Sequence, residues 1–194
     1  MTIQLARRLF SVDEYDRMIE TGILTKDDHV ELLEGEIVEM PPIGSHHAGT
    51  LNRITSLLFR VLGSDRAVVS VQSPIKLSGR SEPQPDVAVL HPRDDFYSDS
   101  HPVPADIHML IEVADSSLQS DQQIKIPLYA DAGVIEVWLV DLTNSAVTVY
   151  SSPAGGRYQD ERTARRGDRI SPLAFGDVSF EVDEILGPLG LIGP

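Results

Sequence analysis

Gln84-Pro-Asp-Val-Ala-Val-Leu90 and Leu110-Ile-Glu-Val-Ala-Asp115 decide how this chain is read. Both runs are apolar enough for buried strands, yet Asp86 opens the first and Glu112 interrupts the second. An ionised carboxylate in a buried strand is costly unless something compensates it, so two of them ask for a shared cation or proton. A metal site is the reading that satisfies both. If the two strands are antiparallel neighbours, the start of one lies beside the end of the other, and the carboxylates converge. After Glu112 the chain turns into a helical segment carrying Lys125, with Asp121 one turn earlier, so a cation is available beside two anions.

The elements around this pair follow from periodicity. Ser11-Val-Asp-Glu14 fits a capping box, and Gly22 can stop the helix that follows. HVELL and EIVEM flank Glu34-Gly35 as a hairpin. Leu51, Ile54, Leu58, Val61 and Leu62 recur at helical spacing, predicting a core helix from His47 to Gly63. Strands are expected at 67–72 with 74–77, then at 86–90, then at 109–113, giving a three-strand meander. Ser120-Asp-Gln-Gln123 reads as a second capping box opening a helix that Gly133 ends, with Pro127 awkwardly placed inside it. Glu136-Val-Trp-Leu-Val-Asp141 is a fourth core strand, 146–151 pairs back onto it, and 158–180 adds edge strands. Residues 1–186 are expected to form one domain, with 187–194 a Gly/Pro-rich tail.

Composition limits the function. The chain has 194 residues, 41% hydrophobic and 24% charged, which suits one well-filled soluble domain. Without cysteine there is no disulfide framework, thiolate zinc site or cysteine nucleophile, in keeping with a reducing cytoplasm. No apolar stretch is long enough to span a membrane, and the charged start does not fit a secretory signal. A net charge of −14 argues against non-specific coating of nucleic acid, which basic surfaces drive. It leaves room for an enzyme that visits DNA transiently.

Taken singly, each residue has a plainer reading. Asp86 after a proline can be a turn residue, Glu112 can pair with an arginine, and Lys125 can be a solvated partner of Asp121. Arg162, Arg165, Arg166 and Arg169 form a basic cluster that best fits a solvated edge hairpin.

Six pieces in order, ELLEGEIVEM, PPIGSHH, QPDVAVL, LIEVADSS, KIPLYADAGV and EVWLVD, resemble the PD-(D/E)xK nuclease superfamily and, within it, the Uma-two endonuclease-like family. The resemblance runs from about Phe10 to Tyr150. It implies an α/β, restriction-endonuclease-like mixed sheet flanked by helices, with an added N-terminal hairpin and C-terminal strands. It also implies Asp86 and Glu112 as ligands of Mg²⁺ or Mn²⁺, Asp86, Glu112 and Lys125 as the catalytic set, and Glu36 and His47 as possible additions. The superfamily's lysine position, two after Glu112, holds Ala114; the resemblance implies that Lys125 on the next helix replaces it. The chemistry is coherent, because hard Mg²⁺ prefers oxygen ligands such as two carboxylates and a backbone carbonyl like that of Val113.

The leading expectation is Mg²⁺-dependent phosphodiester hydrolysis by a DNA endonuclease of restriction-enzyme type, compatible with a homodimer. The rivals are a catalytically inactive nuclease-fold subunit that binds or regulates a partner, and a hydrolase of small phosphoesters. No DNA-recognition module is visible in the sequence.

Overall fold

The two acid-bearing runs fold as adjacent antiparallel strands, and the rest of the molecule is arranged around them. The computed structural model describes residues 7–25 and 27–188. A six-stranded mixed sheet runs β3 (Val68–Val71), β4 (Val87–Leu90), β5 (Ile107–Ala114), β6 (Glu136–Asp141), β7 (Ala146–Ala154) and β8 (Arg157–Arg165), in that spatial order. Every pairing is antiparallel except β5 with β6, which is parallel and needs a crossover. Val87 lies opposite Ile111, so Asp86 and Glu112 meet one step further along.

Strand alternation divides the core into two layers. Val87, Val89, Met109, Ile111, Val113, Trp138 and Val140 pack beneath helix α2 (Ser45–Leu62) through Leu51, Ile54 and Leu58. Ala88, Leu90, Leu110, Ala114, Val137 and Leu139 pack on the opposite side against Ile126 and Tyr129. Glu112 shares the parity of Leu110 and Ala114, so its side chain emerges into the second layer. The central strand β6 is buried along its whole length, as its apolar run predicts.

The crossover corrects one expectation. The helix does not begin at a Ser120 cap: α3 (Leu118–Ser120) starts earlier, and Ser120 Oγ instead bonds back to Ser117 O at 2.7 Å. A π-helical turn (Asp121–Lys125) follows and leads into α4 (Ile126–Asp131). Its wider hydrogen bond runs from Ile126 N–H to Asp121 O. Pro127 then falls in the first turn of α4, where its missing N–H costs little, which resolves its awkward position. A second correction concerns 74–77, which form no strand. Ile75 and Leu77 donate to Pro83 O and Ser81 O in an irregular loop.

Helix α1 (Val12–Glu20), with its Ser11/Glu14 capping box, and the hairpin β1 (Val30–Leu33) and β2 (Glu36–Glu39) form a small unit beside the main sheet. Glu34 and Gly35 both take positive φ, as a tight two-residue turn requires, and a Cβ on Gly35 would lie 2.7 Å from that of Leu9. This unit docks on the 78–84 loop. Leu32 and Glu82 exchange backbone hydrogen bonds, Val12 N–H reaches Gly79 O, and Gly35 N–H reaches Arg80 O. Val12, Tyr15 and Leu32 fill the seam.

At the C-terminus, β9 (Arg169–Ile170) pairs with β10 (Phe180–Glu181), and a short α5 (Val182–Leu186), not foreseen from sequence, closes over α2. Arg53 caps it by donating to Ile185 O and Leu186 O. Of the expected tail, residues 189–194 lie outside the described residues. Two of the four arginines of the basic cluster are paired within the protein, Arg166 with Asp183 and Arg169 with Glu181.

The docking seam carries a buried carboxyl group without full compensation. Glu82 is 3% exposed and its Oε2 has no hydrogen-bond partner. Burial pushes its carboxyl up to about 7, with Asp16 adding to the rise and Lys76 opposing it. A raised acid contributes stability below the ordinary carboxylate value of 4.5 and loses it as pH rises through about 7. The wild-type protein is therefore expected to lose stability as pH rises from about 4.5 to 7, and Glu82→Gln to flatten that dependence by about 1–3 kcal/mol. An equally steep pH dependence in Glu82→Gln, followed by calorimetry, would place the titrating group elsewhere.

Candidate active site

Asp86 and Glu112 hold each other through their backbones. Val113 N–H donates to Asp86 Oδ2 at 2.8 Å, and Asp86 N–H donates to Glu112 Oε2 at 3.4 Å. Antiparallel register makes this reciprocity possible, because each residue sits one position beyond the last paired residues of its partner strand. Asp86 Oδ1 also receives His47 Nε2 at 2.9 Å and Gln72 Nε2 at 3.2 Å. His47 comes from the first turn of α2. Its hydrogen bond to Asp86 raises its pKa against the opposing effect of burial, with Asp86, Asp115 and Asp121 adding to the rise.

Lys125 closes the other side. Its Nζ lies 3.2 Å from Glu31 Oε2 and 3.4 Å from Glu112 Oε1, and all three side chains are largely shielded from solvent. Burial alone would lower this amine's pKa, but Glu112, Glu31 and Asp121 outweigh it and hold it charged. The π-helical turn ends at Lys125, which places the irregular backbone at the point where the cation enters the site. Ala114 lies buried in the apolar layer with Ile126 and Tyr129, so the position two after Glu112 contributes packing and no charge.

The carboxylates outnumber the cations. Glu31, Asp86, Glu112 and Asp121 are all buried, around one lysine and one histidine. Burial pushes Glu112 up to about 8 despite the pull of Lys125, with Asp86 and Asp121 adding to the rise. Asp121 is raised by burial too, against its hydrogen bond from Ser117 and the charge of Lys125. Tyr129 O–H donates to Glu112 Oε1, fixing that oxygen beside Lys125. Among the described residues no three histidine or acidic side chains enclose a common ion position by themselves. Asp86 and Glu112 are the residues that would hold a divalent cation, one that prefers oxygen ligands and keeps several waters as Mg²⁺ does.

These groups line one cleft of about 720 Å³ between the hairpin and the crossover. Glu31, Asp86, Glu112, Asp121 and Lys125 line it deeply, while Met40, Pro41, Pro42, Ile43 and Ile124 form a more exposed apolar border.

Of the residues singled out from sequence, Asp86, Glu112, Lys125 and His47 come together. Glu36 does not: it shares the face of Glu31 but sits at the turn end of the hairpin, opposite Leu33, where it is exposed beyond the cleft and pairs with Arg7 at 2.8 Å. The hairpin acid in the cleft is Glu31, whose Oε2 also accepts Gln84 N–H at 3.0 Å. The signal for Glu31 was present in HVELL, an acid inside an apolar strand, the same pattern that marks Glu112. Gln72, Gln84 and Tyr129 carried no comparable sign.

No curated protein matches the chain. Among solved structures, the crystal structure of "a putative nuclease belonging to DUF820" from Anabaena variabilis superposes with a TM-score of 0.70 at 17% identity, over 91% of this chain and 97% of that one. The fold is therefore shared with that protein. The family model described as "Putative restriction endonuclease", Uma2, matches residues 12–183, which include the hairpin, both acid-bearing strands and the Lys125 crossover. The chain belongs to the Uma2 restriction-endonuclease-like family.

Proposed function

We propose that this protein is a Mg²⁺- or Mn²⁺-dependent phosphodiesterase acting on DNA, with Asp86 and Glu112 as metal ligands and Lys125 as the catalytic cation. The observation that carries the reading is the placement of Lys125 Nζ, 3.4 Å from Glu112 in a cleft where buried acids exceed buried cations. Such a cleft is poor at holding an anionic phosphodiester until a divalent ion offsets the charge. When bound, the ion would supply Lewis-acid stabilisation of the phosphoryl oxygens and a more acidic water.

The protein's own groups have separate tasks. Val113 N–H, His47 and Gln72 orient Asp86, and Tyr129 orients Glu112. Glu31 holds Lys125 from the hairpin, leaving its third N–H free to meet a phosphate oxygen or the attacking water. His47 is a positioning group for Asp86. Glu36 stands outside this set. Cleavage of both strands of a duplex would need two such centres, as in a C₂ dimer. The inactive-subunit alternative would be favoured by a Lys125 turned from the acids; its contacts with Glu31 and Glu112 favour an enzyme instead.

Three outcomes follow. Mg²⁺ or Mn²⁺ should raise the melting temperature, and Asp86→Asn should remove most of that rise. An unchanged rise in the variant would put the ion at another site. Because the ion competes with a proton at Glu112, metal affinity measured by calorimetry should increase with pH and level off above about 8. A pH-independent affinity would exclude Glu112 as a ligand. Finally, Lys125→Met should keep the metal-induced melting shift while lowering cleavage of DNA by roughly two to four orders of magnitude. Full cleavage by that variant would remove the catalytic role of Lys125.

A further inference from the structure

The walls of the cleft say which form of nucleic acid it admits. A duplex is held chiefly through its phosphates, at one charge per about 1.7 Å of axis, by rows of lysine and arginine. Among the described residues lining this cleft, Lys125 is the only lysine or arginine, and Glu31 and Glu112 already engage it. Five arginines elsewhere are tied down internally: Arg7 to Glu36, Arg60 to Glu184, Arg66 to Asp177, Arg166 to Asp183 and Arg169 to Glu181. Arg162 and Arg165 lie on β8, three strand spacings from β5, or about 14 Å at ordinary sheet geometry. The net charge is −14, and among the described residues no lysine or arginine besides Lys125 lines the cleft that leads to Asp86 and Glu112.

The border offers a different kind of contact. Ile43 is 51% exposed and Ile124 45%, and both line the cleft together with Met40, Pro41 and Pro42. Exposed β-branched and proline side chains beside a deep polar floor suit the flat faces of unstacked bases and the sugar edge, which a duplex hides. A cleft of about 720 Å³ is on the scale of one or two nucleotides. A single strand also brings about half the linear charge of a duplex toward the acidic floor.

We infer that the cleft takes an unpaired segment of nucleic acid, a single strand or a frayed end, holding one or two nucleotides by base and sugar on the Met40–Ile43 and Ile124 border while their phosphodiester reaches the floor. This rests on the phosphodiesterase reading and narrows its substrate.

The test uses the full chain, a short labelled single-stranded oligodeoxynucleotide and its blunt duplex, with anisotropy followed across a salt titration in Mg²⁺ and cleavage followed on gels. The single strand should bind at least about tenfold more tightly than the duplex. Its log K should fall with log salt at a slope near −1, the value for one or two phosphates. The double variant Ile43→Ser/Ile124→Ser, at exposed positions, should weaken strand binding about tenfold and leave the Mg²⁺ melting shift unchanged. Equal or tighter duplex binding, a slope several units steeper, or full strand binding by the double variant would each overturn the inference. Preferential duplex cleavage would also overturn it while leaving phosphodiester hydrolysis standing. Strand binding with the expected slope but no cleavage of either probe would support the inference about the cleft and count against hydrolysis.

Discussion

The pairing of Asp86 with Glu112 across β4 and β5 is the constraint on which the rest of this molecule depends. Two carboxylates in the buried part of a sheet are tolerable only if each finds donors close by. Here the strands themselves provide some, since each acid touches its partner strand's main chain. Sliding β4 by one residue would break both bonds and turn Asp86 into the opposite layer, among Leu51, Ile54 and Trp138. Register is therefore fixed by the site as firmly as by the apolar core. Lys125 completes the balance from the crossover, and removing one partner from such a buried pair costs about 3–5 kcal/mol.

That balance explains why the irregular features gather where they do. A regular helix from residue 118 to 131 would leave Pro127 in its interior and would change the direction from which Lys125 approaches Glu112. The π-helical turn accommodates both, absorbing the proline at the start of α4 and setting the lysine at its own end. The hairpin has a parallel role. Its tight Glu34-Gly35 turn fixes the alternation that sends Leu32 into the seam with α1 and Glu31 into the cleft. An N-terminal unit outside the main sheet thus carries one of the two acids that hold the lysine.

Much of this was legible in the sequence because it rested on local chemistry. Apolar runs, the capping box at Ser11 and the Glu34-Gly35 turn marked their elements, and an acid within an apolar strand marked Asp86 and Glu112. The meander's order follows the tendency of consecutive strands to pair, despite the long loops 72–86 and 91–106 between them. What could not be read depended on distant partners. Choosing between Glu31 and Glu36 requires knowing which end of the hairpin meets the crossover, because both acids lie on the same face of it. The helix start at Leu118 was masked by a Ser120 sequence that imitates a cap. The 74–77 segment alternates like a strand, yet its N–H groups go to two loops, those of Ile75 and Leu77 to Pro83 O and Ser81 O and that of Lys76 to Pro102 O. Helix α5 has only five residues and owes its closure to Arg53, far away in the chain.

The same charge balance bears on what can enter the cleft. Four buried acids around one lysine make a floor that repels phosphate in the absence of a divalent ion, and several arginines beyond it are neutralised locally by acidic partners. Affinity built mainly on phosphate contacts would need cations that this architecture has spent on holding α2, α5 and the C-terminal strands together. Apolar border residues need no such compensation: they gain from covering base and sugar surface whatever the charge behind them. In the proposed reading, an ion on the floor would govern the chemistry, while Ile43, Ile124 and their neighbours would govern which strand comes within its reach.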